Sequence, residues 1–480
     1  MRRLILAGVT GLCCWHATSF GAIGEAKKTL DALILHDQVV TEMPSVSEVH
    51  LKNGMRCFFI EDHLLPLVRF GLIFPAGEVY DPPEKFGLSA MLAAMLRSGG
   101  TRQHDAEWID DTLDANAIKI EIRIEQELGI AGAQALTDDL DTALALFFEL
   151  LYAPAYQDDR FAIMKGKMAE GVRRRNDQPA HMAQRIFQKV LYGEESPWAA
   201  TPNLDSIDRI TVEDLRALHA TLFAPEQMLC AVAGDVAPAS LVKRLEALMA
   251  QYPERPATQR VPPAVPVTGR PGLWVVPKEV PQSVITVGHV GPVRDDPDRY
   301  ALVVMNEILG SPATFTSWLT RTIRTEQGLA YEAWSTLKFG PSTAPGMFYA
   351  HSKTRAETTA KTVVLLHDNI RKIHAGIDVR ADEVDAMRSA ILRRFIFQYA
   401  DPYHLVSSII RSIALGYPAN YLDLYRAGIA AVTREDVRRA ARTALHPDAL
   451  TTVVVGDPAH VIAPLKALGP VNIYPLAGEK

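Results

Sequence analysis

A short stretch in the second half of the chain combines two residue types that act as strong hydrogen-bond donors. Arg324 and Tyr331 lie seven residues apart, with Gly328 between them. An arginine offers fixed, charged donors in a rigid fork, and a tyrosine adds one hydroxyl donor. Spacing alone favours a structural role, in which the arginine binds carbonyls at a helix end and the tyrosine is half-buried in a strand.

The local sequence predicts how these residues are positioned. We expect Arg324 to end a helix, Gly328 to adopt the left-handed conformation that reverses the chain, and Tyr331 to begin the next strand. Such a turn can bring residues seven positions apart onto one wall. Arg321 lies about one helical turn earlier, so we expect it to be dispensable.

Two segments share one pattern at a constant offset of 222 residues. Each begins with a threonine that can cap a helix, Thr211 or Thr433, and acidic residues follow in the first turn. Each continues through a proline to a short apolar strand that ends in Gly-Asp. A second pair of segments, beginning at Asp81 and Asp295, repeats at an offset of 214 residues. The chain therefore contains a duplication.

A proline-rich stretch divides the two copies. Residues 253–272 contain six prolines, which is typical of a linker. We therefore predict a first domain at 40–252 and a second at 273–480. Alternating isoleucines at 118–124 predict a half-buried antiparallel strand, and the helical patterns around it do not form regular βα units. The predicted fold class is α+β, present twice.

Composition argues against several classes of partner. The chain has 48% hydrophobic and 22% charged residues, which is ordinary for a globular protein. Its 50 basic and 56 acidic residues give a net charge of −6 without a dense basic block, so we expect no nucleic-acid partner. No apolar run beyond the first twenty residues is long enough to predict a membrane span.

The N-terminus has the form of an export signal. Two arginines precede an apolar stretch at 4–15, and small residues follow it. We predict a signal peptide at 1–22 that directs the protein to the periplasm or another exported location, the alternative being an amphipathic helix. In that oxidising setting Cys57 and Cys230 could form a disulfide, but two buried free thiols fit their apolar surroundings at least as well.

The predicted helix after Pro83 reads Gly87-Leu-Ser-Ala90-Met-Leu-Ala93-Ala94. With the apolar strand before it, this region resembles the pitrilysin/insulinase family of zinc peptidases, the inverzincins. Active members carry His-x-x-Glu-His here, with two histidines one turn apart on zinc and the glutamate as general base. Aligned on that motif, Ala90 and Ala94 replace the histidines and Ala93 replaces the glutamate.

The resemblance also implies a third zinc ligand, a glutamate that falls near Glu170. One carboxylate cannot hold a catalytic zinc ion alone. A simpler role for Glu170 is an ion pair with Arg173 or Arg174, one turn further along its helix. We therefore predict no metal site in this chain and no peptidase activity of the chain by itself.

The resemblance, which covers nearly the whole mature chain, gives Arg324 and Tyr331 a different meaning. In the family such a pair faces the zinc across a cavity and helps to hold the substrate and the developing oxyanion. Two-component relatives place the zinc motif on one chain and the Arg/Tyr pair on the other. The resemblance thus implies two homologous α+β domains, each a mixed sheet with helices on one side, in a clamshell arrangement.

Under this first hypothesis the chain is the non-catalytic subunit of a heterodimeric peptidase. Its partner is a homologous subunit that carries His-x-x-Glu-His and zinc, and the substrate is an unfolded peptide that adds to an exposed sheet edge. A second hypothesis is a peptidase-like binding or scaffold protein with no catalytic role. It explains the missing zinc ligands but gives no reason to keep both Arg324 and Tyr331.

Overall fold

The computed structural model describes residues 43–262, 269–340 and 345–476. The predicted signal peptide at 1–22 lies outside these ranges. From Pro44 onward the chain forms one unit, so its two halves share a continuous set of contacts. Within the described ranges, no helix combines the length and the apolar character needed to cross a membrane.

The described part of the first half contains six strands and eight α-helices. The strands are β1 (Ser47–His50), β2 (Arg56–Glu61), β3 (Leu67–Pro75), β4 (Lys119–Ile124), β5 (Leu128–Leu136) and β6 (Leu229–Gly234). The helices are α1 (Leu88–Ser98), α2 (Ala106–Ala115), α3 (Leu140–Tyr152), α4 (Asp158–Arg174), α5 (Pro179–Tyr192), α6 (Leu204–Asp208), α7 (Val212–His219) and α8 (Pro238–Met249).

The described part of the second half also contains six strands, with seven α-helices and one π-helix. The strands are β7 (Gly272–Pro277), β8 (Gln282–Val290), β9 (Ala330–Lys338), β10 (Met347–Arg355), β11 (Thr451–Gly456) and β12 (Val471–Ile473). The helices are α9 (Arg299–Gly310), the π-helix (Thr320–Glu326), α10 (Thr359–His374), α11 (Ala381–Gln398), α12 (Pro402–Ala414), α13 (Tyr421–Ala431), α14 (Arg434–Ala444) and α15 (Pro458–Lys466).

Both halves build a mixed sheet with the same order of strands. The first runs β1-β2-β6-β3-β5-β4 and the second runs β12-β7-β11-β8-β10-β9. In each sheet one inner pair is parallel, β2 with β6 and β7 with β11. The outer strands differ, because β1 precedes β2 as an antiparallel neighbour whereas β12 comes from the end of the chain and runs parallel to β7. The predicted α+β fold, present twice, is confirmed.

The repeated helix begins in the same way in both halves. At the start of α7, the Thr211 side chain accepts the backbone N–H of Asp214, and the Asp214 carboxylate accepts the Thr211 N–H at 2.9 Å. Thr433 and Asp436 form the same capping box at the start of α14. These reciprocal bonds satisfy N–H groups that a helix start leaves without partners, which gives the sequence repeat its physical meaning.

Each sheet is covered on its second face by a helix from the other half. Helix α5 packs on β8 and β11 of the second sheet, where the Phe187 and Tyr349 ring centroids are 5.7 Å apart. Helix α12 packs on β3 and β6 of the first sheet. Tyr403 of α12 lies so close to Gly71 that a Cβ atom there would be 2.3 Å from its hydroxyl. The sequence predicted helices on one side of each sheet, and these belong to the same half as the sheet. The other side is covered by a helix from the opposite half, and we call α5 and α12 the exchanged helices.

Two ion pairs also join α12 to the first half. Arg69 Nη1 lies 2.6 Å from Asp401 Oδ2, and Arg411 Nη2 lies 2.6 Å from Glu125 Oε2. The exchanged helices bury apolar faces as well. The two halves of the chain are therefore held together by ion pairs and by apolar packing.

Cys57 and Cys230 occupy directly paired positions on the parallel strands β2 and β6. Both are buried free thiols, and burial raises the pKa of the Cys230 thiol. Of the two states that the sequence left open, the structure contains the free thiols.

Candidate functional site

The region that carries the zinc motif in active relatives forms helix α1. Its start is held by Asp81, whose carboxylate accepts hydrogen bonds from the backbone N–H groups of Gly87 and Ser89 and from the Ser89 hydroxyl at 2.6 Å. Gly87 has a φ of 104°, a left-handed conformation that favours glycine. Burial outweighs these bonds and raises the pKa of Asp81 to about 6. The helix is therefore firmly anchored at the predicted position.

Three alanines occupy the motif positions on this helix. Ala90 and Ala94 are half-buried and Ala93 is buried. Methyl groups provide neither the imidazole nitrogens nor the carboxylate that a zinc peptidase needs. Within the described ranges, no group of three or more His, Cys, Asp or Glu side chains could hold a metal ion. The zinc site implied by the resemblance does not fit the residues of this chain.

Glu170, the position of the third zinc ligand in active relatives, lies on α4. Its side chain is 57% exposed, and its Oε2 atom lies 3.6 Å from Arg173 Nη1. The predicted i,i+3 ion pair is confirmed for Arg173. An exposed pair of this kind contributes little to stability, so Glu170 has an ordinary surface role.

We call the part of α1 that carries Ala90, Ala93 and Ala94 the first wall, and the surface around Arg324 and Tyr331 in the second half the second wall. The second wall is built from an irregular helix. Residues Thr320–Glu326 form a π-helix, and the chain then closes with the Leu329 N–H donating to the Ile323 carbonyl at 3.0 Å. Gly328 has a φ of 60°. The predicted left-handed glycine is therefore confirmed, although the helix ends two residues beyond Arg324. Short π-helical turns occur frequently at functional sites.

Tyr331 follows this turn and lies in a β-bulge. In the pairing of β9 with β10, Ala330 is opposite Thr354 and Ala333 is opposite Ser352. Tyr331 and Glu332 therefore share a single opposite residue. A bulge redirects side chains relative to a regular strand, and Tyr331 is 81% exposed. The sequence predicted that Tyr331 begins this strand but did not predict the bulge, and the half-buried position of the structural alternative is wrong.

The guanidinium of Arg324 lies over two aromatic rings. Its Cζ atom is 4.6 Å from the ring centroid of Tyr331 and 5.4 Å from that of Phe315. The expected proximity of Arg324 and Tyr331 is thus present. Phe315 was not predicted, because nothing in its local sequence indicates an exposed ring beside Arg324. By contrast, Arg321 Nε lies 3.7 Å from Glu326 Oε1, and this arginine has no part in the ring cluster.

One edge strand of each sheet, β9 in the second and β4 in the first, is partly covered. The carbonyls of Ala333 and Ser335 in β9 accept hydrogen bonds from Thr320 Oγ1 at 3.2 Å and from Asn306 Nδ2 at 3.3 Å. Such carbonyls are no longer open to a second strand.

Edge strand β4 has a similar cover. Across the β4–β5 turn, the Glu125 N–H donates to the Leu128 carbonyl, and the alternation of an antiparallel ladder then directs the Ile120 carbonyl away from β5. Arg97 Nε of α1 binds this carbonyl at 3.1 Å and is anchored by Asp110 at 2.9 Å. A peptide strand would have to displace Arg97 to pair along the whole of β4.

Two family models match this chain. Insulinase (Peptidase family M16) matches residues 58–196, and the Peptidase M16 inactive domain matches residues 209–391. The chain belongs to the insulinase family. Because alanines replace the zinc-binding motif, it is an inactive member of that family.

Relatives of this insulinase-family chain include one that is named a zinc protease and one that is named a non-peptidase homolog. An uncharacterized zinc protease of Streptomyces coelicolor is 24% identical over 417 residues, which cover 84% of this chain and 87% of the relative. The non-peptidase homolog YmxG of Helicobacter pylori is 24% identical and covers 65% of this chain and 71% of its own length. The crystal structure of a peptidase M16 inactive domain from Pseudomonas fluorescens is 26% identical, with a TM-score of 0.75, and covers 86% of this chain and 98% of that one.

Proposed function

We propose that this chain is the non-catalytic subunit of a two-chain zinc peptidase of the periplasm. The observation that carries the proposal is the contrast between the two walls: alanines replace the motif at 90–94, whereas Arg324 and Tyr331 are held 4.6 Å apart, guanidinium carbon to ring centroid. The predicted signal peptide at 1–22 supports export. The partner is a homologous subunit that supplies the His-x-x-Glu-His motif and its zinc.

Arg324 and Tyr331 act on the substrate rather than on the metal. In the closed complex the guanidinium and the phenol hydroxyl donate hydrogen bonds to the carbonyl oxygen of the peptide bond under attack. Donors aimed at an oxygen where negative charge develops stabilise the transition state more than the ground state. The ring contact restricts the motion of the Arg324 side chain before substrate arrives, which lowers the entropic cost of binding.

The substrate is an unfolded peptide in an extended conformation. Strand addition to a sheet edge is a common way to hold such a peptide. Because Thr320, Asn306 and Arg97 already bind edge carbonyls of this chain, we assign most of the strand pairing to the partner. This chain then contributes side chains that close over the peptide from the opposite side.

A scaffold role is the second candidate. It is supported by the alanines at the motif positions and by the similarity to a relative that is named a non-peptidase homolog. Under this alternative the complex forms but Arg324 and Tyr331 do not affect turnover.

The deciding experiment compares Tyr331→Phe with wild type in the reconstituted complex. The substitution removes one hydroxyl and keeps the ring beneath Arg324. Loss of one oxyanion donor lowers the rate by about 10²–10³-fold in a well-studied protease, so we expect a fall of this size in kcat. Cleavage of an unstructured peptide is measured with each subunit alone and with both, and size-exclusion chromatography checks assembly.

Tyr252→Phe is the matched control, because it removes the same hydroxyl from a tyrosine stacked on Tyr152 in the first half. It should leave turnover unchanged. Near-wild-type turnover of the Tyr331→Phe complex would contradict the shared site and favour the scaffold role.

A further inference from the structure

Phe315 is a large apolar side chain in contact with water. It lies in the connection between α9 and the π-helix and is 78% exposed. With Tyr331 at 81% exposed, it forms an aromatic surface on the same wall. Exposed aromatic rings that lie together are typical of binding surfaces, because they offer a large contact area with few torsions to restrict.

Arg324 connects the two rings and keeps its charge available. Among the residues that the structure describes, the rings of Phe315 and Tyr331 are the contacts of its guanidinium, and no carboxylate forms an ion pair with it. Neighbouring Arg321, in contrast, is paired with Glu326. Ring contacts hold a guanidinium through its face and leave its N–H groups free for an acceptor in its plane.

The wall therefore offers hydrogen-bond donors next to apolar surface. An extended peptide presents a carbonyl oxygen and, beside it, a side chain. Strand pairing cannot hold the peptide at this place along β9, because the carbonyls of Ala333 and Ser335 are already bound by side chains of this chain. At this place the chain can therefore recognise the peptide through its own side chains.

We propose that Phe315 binds an apolar side chain of the peptide, next to the carbonyl that Arg324 and Tyr331 hold, and so determines which residue is accepted there. This inference rests on the proposed function and names the specificity of the same site. Phe315 is a specificity residue, not a catalytic one, since its ring has no proton or charge to transfer.

The test uses one unstructured host peptide with Leu, Phe, Ser or Asp as the guest residue at each position around the cleavage point. We expect the wild-type complex to prefer an apolar guest at one position, and Phe315→Ala to reduce that preference by about 10-fold through KM, the size expected for a lost apolar contact. Phe315→Leu should restore most of it. Cleavage of the Ser peptide should change little, since it makes no use of the ring.

Phe397→Ala is the matched control, because Phe397 is also 81% exposed but lies on α11. It should leave guest preference unchanged. An equal loss for all guests would overturn the proposal, since it would mean that Phe315 only supports Arg324. Weaker assembly of the Phe315→Ala complex on size-exclusion chromatography would also overturn it, since the ring would then contact the partner subunit.

Binding separates this inference from the catalytic role. Fluorescence anisotropy of labelled guest peptides, measured on the complex made inactive by removal of the partner's zinc, reports recognition without turnover. Guest discrimination that depends on Phe315, together with normal turnover of Tyr331→Phe, would remove the oxyanion role and keep the recognition surface. Absence of guest discrimination with a large effect of Tyr331→Phe would do the reverse.

Discussion

The two walls of this protein come from copies of one fold, yet they differ in regularity. In the first half, α1 is a regular helix whose start is held by the Asp81 carboxylate, and it carries alanines at 90, 93 and 94. In the second half, Arg324 and Tyr331 lie in a π-helix and a bulge. Irregular backbone reduces stability unless the surrounding structure compensates for it, and such irregularity is concentrated at functional sites. This difference agrees with the proposed function, in which the second wall contacts the substrate and the first wall has no zinc ligands.

The largest expected effect tests the loss on the first wall. Wild-type protein should hold no stoichiometric zinc after dialysis, because methyl groups replace the ligands. The combined substitutions Ala90→His, Ala93→Glu and Ala94→His restore two imidazoles one turn apart on α1, with Glu170 of α4 as the third ligand. We expect metal analysis to find about one zinc ion per chain in this variant.

Addition of Glu170→Gln to that variant is the control. Removal of a residue that only hydrogen-bonds to a zinc ligand lowers zinc affinity by about 10–100-fold, so loss of the ligand itself should lower zinc affinity at least as much. Tight zinc in the wild-type protein would remove the contrast between the walls. To bind zinc, Glu170 would have to leave its ion pair with Arg173. Absence of zinc from the triple variant would mean that Glu170 does not reach the two new histidines.

The next effect tests what the second wall has kept. Arg324→Lys preserves the charge but loses the planar fork and its contact with two rings. In the reconstituted complex we expect turnover to fall by about 10–100-fold, somewhat less than for a donor removed outright. Arg321→Lys makes the same change one turn away, where the partner is Glu326, and should have little effect. Equal effects of the two substitutions would argue for a general charge requirement instead of a defined donor.

Short-range features of both halves could be predicted from the sequence. The caps at Thr211 and Thr433, the helix that carries the three alanines, and the left-handed Gly328 each depend on residues a few positions apart. The domain boundaries at 252 and 273 and the catalytic role of Arg324 stay predictions.

Long-range features could not be predicted in this way. Asn306 covers β9 and α12 covers the first sheet through contacts between distant segments. Phe315 lies close to Arg324 in sequence, but it belongs to a connection without a regular pattern, so its contact with Arg324 could not be predicted either. One signal was present, since a glycine inside a strand, such as Gly71, indicates a close approach by another group. That group is Tyr403, more than three hundred residues away, and no local pattern names it.

The smallest effect concerns a half-buried carboxyl group that precedes the first wall. Glu78 precedes α1, and burial, together with the nearby Asp81 and Glu125, raises its pKa to about 7. Because the pKa in the folded state exceeds the ordinary value of 4.5, the folded protein binds this proton more tightly than the unfolded chain. The associated stability is fully present below pH 4.5 and is lost as pH rises through 7.

Glu78→Gln replaces the carboxyl with a neutral group of the same shape. It should therefore increase the free energy of unfolding at pH 8, by at most about 3 kcal/mol, and change it little near pH 4.5. Urea unfolding at the two pH values measures the difference, with Glu84→Gln, an exposed residue close by in the chain, as the control. An equal effect at both pH values would mean that Glu78 does not titrate between them. A pH-dependent gain would show that the charged form of Glu78 destabilises the folded protein beside the first wall.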